Sequence, residues 1–319
     1  MYIVSADDID KVLDFPALVE TLRTAFTGTI DTPLRHHHTL PAAPGAAPRV
    51  LLLMPAWPKT QGSGYFGTKL VTVFPDNPSA GHPTVQGTYI LFSDATGAPV
   101  AALDGTRITL WRTAAASALA ATYLARRDAS RLAMMGAGAM APFLIRAHAA
   151  VRPISHVTLW NRNRAKADAL AATLAHDPFE VSVTDDPQQA VAQADIVSSA
   201  TVSSEPIVRG AWVKPGTHVD LIGAYREDLR ESDDELIAKC ALFADTRAGA
   251  FGEAGDILQP LKAGAIGKDA LLGDLFDLAG GKIKGRSDDR QITVFKSVGT
   301  ALEDLAAAEY VFRRFTSQR

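Results

Sequence analysis

The sequence lacks the features that mark secreted and membrane-spanning proteins. Its 319 residues include a single cysteine, Cys240, which has no partner for an internal disulfide, so nothing in the chain requires an oxidising compartment. Asp7, Asp8 and Asp10 stand where a secretory signal needs positive charge. The longest apolar stretch, residues 114–125, is too short to cross a bilayer as a helix. We therefore expect a cytoplasmic protein without a membrane segment.

Neither sign of charge is in large excess. Lys and Arg together number 32 and Asp and Glu 35, giving a formal charge of −3, and no stripe of basic residues occurs. This composition argues against a nucleic-acid partner. The hydrophobic content of 47% and charged content of 21% are those of a globular protein, and the length predicts two domains.

Two kinds of pattern divide the chain. β-rich runs separated by turn residues lie between residues 49 and 104, as is typical of a mostly antiparallel sheet. From residue 112 onward strands alternate with helices, which predicts a doubly wound parallel sheet. The predicted fold class is α/β, with a Rossmann domain over residues 113–299 and an α+β domain over residues 1–112. The last helix, within residues 300–319, is expected to return to the α+β domain.

A glycine-rich turn predicts a dinucleotide site. Residues 136–141 read GAGAMA, which fits G-x-G-x-x-A after an apolar strand and before a helix. Gly136 permits the tight turn and Gly138 lets the backbone approach a pyrophosphate, which the N–H groups of the following helix would face. Small residues here could also serve only close packing, but the surrounding alternation favours the dinucleotide site. The predicted cofactor-binding residues of the turn are Gly136, Ala137, Gly138, Ala139 and Met140.

The end of the next strand indicates which dinucleotide is bound. Asn161, Arg162 and Asn163 follow Trp160, where an NAD enzyme usually places a carboxylate on the ribose hydroxyls. Their donors and positive charge suit a 2′-phosphate instead. The sequence therefore predicts NADPH, with NADH less favoured. A solvated basic turn is the alternative, because Arg is common on surface loops.

Several motifs together resemble the ornithine cyclodeaminase/mu-crystallin family over nearly the full length. They include LMPAW at 53–57, GTKLVT at 67–72, LDGTRITLWRTAAASALA at 103–120, WNR at 160–162, SSEPIV at 203–208, EAGDI at 253–257 and VFKSVG at 294–299. The resemblance implies that residues 1–112 and 300–319 form a substrate-binding and dimerisation domain. It also implies a homodimer formed through that domain.

The resemblance assigns roles to individual residues. Arg35, Lys69 and Arg112 match family positions that hold the substrate carboxylate, and we take Lys69 and Arg112 as the catalytic pair. Lys69 lies in a strand of otherwise apolar residues, a position that demands a partner or an anionic ligand. Thr113 is expected to begin the helix after Arg112, where its hydroxyl and N–H would meet a cofactor phosphate. The positions matched to the nicotinamide and its ribose are Thr201, Val202 and Ile222.

Two departures bear on the reaction. Ornithine cyclodeaminases resemble one another in carrying an Asp for the substrate amine where this chain has Tyr225, and a Glu where it has Leu52. Ketimine reductases similar to mu-crystallin also lack that Asp. The departures therefore weigh against ornithine cyclodeamination, and Tyr225 becomes a further candidate for the active site.

The sequence thus predicts an NADPH-preferring oxidoreductase that reduces a cyclic ketimine carboxylate. The substrates implied are Δ1-pyrroline-2-carboxylate, reduced to L-proline, and Δ1-piperideine-2-carboxylate, reduced to L-pipecolate. Ornithine cyclodeaminase, alanine dehydrogenase and a non-catalytic NADPH-dependent binding protein stay open as alternatives. No metal is expected, because the consecutive His36, His37 and His38 on an extended chain point to alternate faces.

Overall fold

The computed structural model describes residues 1–43, 45–46, 48–60, 62 and 64–318, with only the backbone of Pro78. The strands are β1 (Tyr2–Val4), β2 (Ile30–Asp31), β3 (His36–Leu40), β4 (Arg49–Pro58), β5 (Tyr65–Val73), β6 (Val85–Ser93), β7 (Pro99–Asp104), β8 (Arg131–Met135), β9 (His156–Trp160), β10 (Glu180–Val183), β11 (Ile196–Ser199), β12 (His218–Leu221), β13 (Ala241–Ala244), β14 (Leu271–Asp274) and β15 (Thr293–Lys296). The helices are α1 (Ala6–Val12), α2 (Phe15–Thr27), α3 (Gly105–Leu124), α4 (Ala141–Val151), α5 (Arg164–Thr173), α6 (Pro187–Gln193), α7 (Asp234–Lys239), α8 (Arg247–Glu253), α9 (Gly255–Lys262), α10 (Leu275–Ala279) and α11 (Ala301–Ser317). Short 3-10 helices lie at Asn77–Ala80, Gly210–Trp212 and Lys268–Ala270.

The chain forms two compact units. One comprises Met1–Arg112 with Thr300–Arg319, and the other comprises Thr113–Gly299. Among the described residues, no helix combines the length and apolar composition needed to cross a lipid bilayer.

A seven-stranded sheet organises the unit that contains both chain ends. Its order is β1-β7-β6-β5-β4-β2, with β3 paired to β4. All pairs are antiparallel except β1 with β7. Alternation along β4 and β5 turns Leu52, Met54, Gly67 and Val71 inward, and α11 packs on β4, β5 and β6.

Helix α1 begins with a capping box. Ser5 Oγ accepts the N–H of Asp8 at 3.2 Å, and the Asp8 carboxylate accepts the N–H of Ser5 at 3.2 Å. This reciprocal capping box satisfies two donors that the first turn of α1 leaves unpaired.

The other unit is built on eight parallel strands. Their order is β10-β9-β8-β11-β12-β15-β13-β14, and every pair is parallel. The order reverses between β8 and β11, which is the topological switch point of a doubly wound sheet. The predicted fold class, a Rossmann-type parallel sheet together with a mostly antiparallel α+β part, is confirmed.

One predicted helix start is wrong. We expected a helix after Arg112, but α3 begins at Gly105. The reason is local: Asp104 Oδ1 accepts the N–H of Arg107 at 2.7 Å, which caps the helix immediately after β7. Thr113 consequently lies in the interior of α3, where backbone N–H groups bond to carbonyls one turn earlier.

Candidate active site

Lys69 is fully enclosed in the unit formed by both chain ends. It stands on the inner face of β5 with 1% of its surface exposed. Its Nζ donates to Asp304 Oδ1 at 2.7 Å and to Thr109 Oγ1 at 3.1 Å. Because an ammonium group carries three N–H donors, one of them is not used by the described residues.

Arg112 joins Lys69 on the same carboxylate. Its Nε donates to Asp304 Oδ1 at 2.9 Å, and its Nη1 donates to Glu303 Oε2 at 2.6 Å. Both acids have no exposed surface. Two cations and two carboxylates therefore form one buried cluster, which the structure builds from β5, α3 and α11.

The cluster shifts the protonation of its members. Burial lowers the pKa of Lys69 to about 7, because desolvation outweighs the attraction of Asp304, and the positive charges of Arg112 and Arg35 act in the same direction as burial. Burial opposes ionisation of Asp304, but attraction by Lys69 and Arg112 outweighs it and lowers the pKa of that carboxyl. Arg35, placed just before β3, thus adds positive charge to the surroundings of Lys69. The structure brings the three predicted substrate residues to one region of this unit.

Glu303 and Asp304 were missed by the sequence reasoning. They lie in the first turn of α11 after the N-cap Thr300, where negative charge is favoured by the helix dipole. The available signal was the pair of acids opening an otherwise apolar helix face. Their partners lie about 190 and 235 positions earlier in the chain, so no local pattern pairs them.

The glycine turn lies between β8 and α4 in the other unit. Gly136 has φ +110°, and a Cβ there would meet the carbonyl oxygen of Ala200 at 3.0 Å. A Cβ built on Gly138 would meet nothing within 4 Å, so this exposed position leaves room for a ligand. Within the described part of the chain, the N–H groups of Gly138, Ala139 and Met140 make no hydrogen bond. Free donors, open space and the N-terminus of α4 together fit the pyrophosphate of a dinucleotide.

The residues after β9 have different surroundings. Asn161 Oδ1 accepts the N–H of Ala137 at 3.2 Å, and Asn163 Oδ1 caps α5 by accepting the N–H of Ala165 at 3.1 Å. Arg162 is exposed and makes no hydrogen bond or ion pair with the described residues. Arg164 is ion-paired to Asp168 and Asp185. Of the two arginines, Arg162 is the one whose guanidinium is not engaged by the described residues.

The predicted nicotinamide residues lie beyond the carboxyl ends of two adjacent strands. Thr201 and Val202 follow β11, and Val202 is 75% exposed. Ile222 follows β12, and its N–H bonds to the carbonyl of Ser199 at 2.8 Å. The two loops are in close contact, because a Cβ on Gly223 would lie 1.7 Å from the carbonyl oxygen of Thr201. Open α/β sheets bind ligands at this end of the strands.

A buried carboxylate was also missed here. Glu231 has no exposed surface, and it accepts hydrogen bonds from both loops. It lies in the acid-rich run REDLRESDDE at residues 226–235. Nothing in the sequence distinguishes Glu231 from the neighbouring surface acids.

Other candidates have local roles. Thr113 is 7% exposed within α3, so only its hydroxyl, not its N–H, stays a candidate for the cofactor. Tyr225 is half-buried and packs on the hydrophobic core of the parallel-sheet unit. Leu52 is buried on the inner face of β4. Within the described ranges, no group of three His, Cys, Asp or Glu side chains could hold a metal ion.

Comparison with known proteins identifies relatives along the whole chain. The model of the ornithine cyclodeaminase/mu-crystallin family matches residues 5–319. The Δ1-pyrroline-2-carboxylate reductase of Paracoccus denitrificans is 42% identical, covering 88% of this chain and 90% of its own. The structure of the Thermococcus litoralis Δ1-pyrroline-2-carboxylate reductase in complex with NADH and L-proline superimposes with a TM-score of 0.94 and 32% identity, covering 100% of this chain and 98% of that one. An archaeal alanine dehydrogenase dimer with bound NAD gives a TM-score of 0.91 and 29% identity, covering 100% and 97%.

Proposed function

The chain belongs to the ornithine cyclodeaminase/mu-crystallin family, and from this premise we propose that it is a nicotinamide-dependent reductase of a cyclic ketimine carboxylate. The preferred substrates are Δ1-pyrroline-2-carboxylate and Δ1-piperideine-2-carboxylate, which would yield L-proline and L-pipecolate. The observation that carries the proposal is the enclosed Lys69–Arg112 cluster. Arg35 adds a third positive charge to its two ion-paired cations, and the N–H of Lys69 that no described residue uses is a donor for a small carboxylate.

Arg35 and three residues of the cluster have roles in this reaction. Arg112 and Arg35 supply positive charge for the substrate carboxylate, and the unused N–H of Lys69 is a donor to the substrate. A reduced nicotinamide, when bound, supplies the hydride that the C=N carbon accepts. The ring nitrogen must carry a proton for the amine to form, and Lys69 Nζ is the group we assign to hold it. Asp304 fixes the position of that ammonium group.

The parallel-sheet unit holds the cofactor in this proposal. The free N–H groups of Gly138, Ala139 and Met140 receive the pyrophosphate, and Arg162 receives the 2′-phosphate of NADPH. The related structures with bound NADH and with bound NAD support a nicotinamide cofactor. The preference for NADPH rests on Arg162 and on the missing carboxylate after β9.

The enzyme is proposed to act as a homodimer through its antiparallel sheet. Lys69 faces α11, whereas Leu53 and Leu70 are paired neighbours on the opposite face of the sheet. Leu70 is 37% exposed and Trp57, two residues beyond Pro55 on the same face of β4, is 41% exposed. A second copy would cover this apolar face. Light scattering of Leu70→Glu, beside the exposed control Leu272→Glu, tests whether the sheet face carries the dimer.

A panel of substrates tests the activity against its rivals. Oxidation of NADPH and of NADH is followed with each imine and with pyruvate plus ammonium. In a separate assay, ammonia release is followed with ornithine and NAD. Fast oxidation with an imine alone supports the reductase. Activity only with pyruvate and ammonium identifies an alanine dehydrogenase, ammonia release from ornithine identifies a cyclodeaminase, and NADPH binding without any turnover identifies a binding protein.

A further inference from the structure

One buried carboxylate ties together two loops of the parallel-sheet unit. Glu231 Oε1 accepts the hydroxyl of Ser199 at 2.7 Å, and the N–H and hydroxyl of Thr201 at 2.7 and 3.0 Å. Glu231 Oε2 accepts the N–H of Gly223 at 2.6 Å. Ser199 ends β11, and Gly223 follows β12, so the four bonds join the carboxyl ends of two adjacent strands.

A second layer fixes the carboxylate from behind. Asp256 Oδ1, on α9, accepts the N–H groups of Glu231 and Ser232 at 2.8 and 2.9 Å and the hydroxyl of Ser232 at 2.9 Å. Asp256 Oδ2 lies 3.0 Å from Lys296 Nζ at the end of β15. None of these three charged side chains has exposed surface. The position of Glu231 is therefore set by a buried ion pair and by β15, which is itself next to β12 in the sheet.

Burying three charged groups is costly for a purely structural contact. Replacing such a network by apolar residues is often neutral or stabilising, so its presence at one edge of the sheet calls for another role. The loops that Glu231 joins carry Thr201, Val202 and Ile222, the residues assigned to the nicotinamide. We propose that Glu231 is a positioning residue that holds these loops in the arrangement needed to bind the nicotinamide end of the cofactor. This inference rests on the proposed function and adds a residue to its cofactor site.

The bonding pattern favours an ionised carboxylate. Two of the four groups that face its oxygens are backbone N–H groups, which can only donate, and the other two are hydroxyls, which donate to it here. A proton on Glu231 would therefore force a hydroxyl to reverse its hydrogen bond or break a bond to an N–H group. The charged groups facing it are Lys296 from β15 and Asp256 from α9, while β11 and both loops present neutral donors. Burial raises the pKa of Glu231 to about 7, against the attraction of Lys296 and with the repulsion of Asp256. Cofactor binding should therefore weaken as the pH falls through about 7.

The test is NADH binding to the full-length protein without any imine. NADH fluorescence titrations would be made between about pH 6 and pH 8.5 on wild type and Glu231→Gln. Gln keeps the shape of the side chain, but its NH2 group would face groups that donate to the carboxylate in wild type. At high pH we expect binding weaker by roughly 10-fold to 100-fold, and a dissociation constant that no longer varies through pH 7. The matched control is Glu235→Gln. The exposed carboxylate of Glu235 pairs with Lys239 and with no other described residue, so NADH binding by this variant should match wild type.

A second variant keeps the inference testable should Glu231→Gln not fold. In the wild-type structure the hydrogen bond from Ser199 lowers the pKa of Glu231. Ser199→Ala removes this bond and should raise that pKa, so the midpoint of the pH-dependent binding should move to higher pH. Unchanged affinity and pH dependence in folded Glu231→Gln, or an unmoved midpoint in Ser199→Ala, would overturn the positioning role and leave the reductase proposal standing. Failure of wild type to bind any nicotinamide dinucleotide would overturn both.

Discussion

The ammonium group of Lys69 lies 2.7 Å from the carboxylate of Asp304, a residue 235 positions later in the chain. The same carboxylate oxygen accepts a hydrogen bond from Arg112 at 2.9 Å. The helix at the C-terminus of the chain thereby sets the charge and position of the two residues to which we assign substrate chemistry.

The activity should depend on pH through Lys69. Its pKa is lowered to about 7, so kcat/KM with an imine should fall as the pH rises through 7 and the ammonium loses its proton. Asp304→Asn removes an attraction that raises this pKa, and the falling limb should move to lower pH. Glu309→Gln, on the same helix and paired with Arg313 at the surface, is the control. If the decrease in kcat/KM occurs at the same pH in Asp304→Asn as in wild type, the titration of Lys69 is not its cause.

The same shift acts on stability with the opposite sign. Between about 7 and the ordinary lysine value of 10.5 the folded protein binds fewer protons at Lys69 than the unfolded chain does. The stability that Lys69 contributes is therefore fully present above about 10.5, is lost progressively as the pH falls from there, and is gone below about 7. Urea unfolding across this range, compared between wild type and Lys69→Met, isolates that contribution.

Substitution of either cation should abolish turnover and spare cofactor binding. Lys69→Met and Arg112→Met each remove a cation that we propose contacts the substrate, and each removes one of the two cations bonded to Asp304. Breaking a buried pair in this way costs about 3–5 kcal/mol, so both proteins are examined below their unfolding transitions. Loss of imine reduction with NADPH affinity retained, measured by fluorescence titration, is expected. Turnover near the wild-type rate would refute the site assignment.

Arg162 should discriminate between the two dinucleotides. Arg162→Ala removes the guanidinium and should weaken NADPH binding by about 10-fold or more, since hydrogen bonds to charged groups contribute roughly 1.5–3 kcal/mol. NADH binding should stay nearly unchanged. Arg164→Ala is the control, because that side chain is already ion-paired. Equal losses of affinity for NADPH and NADH in Arg162→Ala would show that Arg162 does not bind the 2′-phosphate.

Gly138 should be needed for the cofactor and not for the fold. A Cβ added there meets nothing within 4 Å, so Gly138→Ala should unfold at the wild-type temperature or slightly higher. The methyl group would occupy the space kept for the pyrophosphate and weaken dinucleotide binding by at least ~10-fold. Gly252→Ala, whose added Cβ also meets nothing within 4 Å, should bind normally. Dinucleotide binding retained in Gly138→Ala would place the pyrophosphate elsewhere.

The sequence could predict what depends on local pattern. The capping box at Ser5, the strand alternation around Lys69 and the turn at Gly136 follow from short-range rules, and so does the fold class. The start of α3 was placed too late because the capping role of Asp104 is inconspicuous in a strand-to-helix run. Asp304 and Glu231 could not be assigned, since each is defined by partners that only the tertiary fold brings near. The need of Lys69 for a partner was predictable, but the identity of the partner was not.

The most direct test compares two substrates that differ only in the carboxylate. Initial rates of NADPH oxidation would be measured with Δ1-pyrroline-2-carboxylate and with Δ1-pyrroline, the same ring without the acid group. If the buried cations recognise the carboxylate of an imine that is then reduced, kcat/KM should be higher for the first by at least ~100-fold. Equal rates for the two rings, or no oxidation with either, would contradict the account.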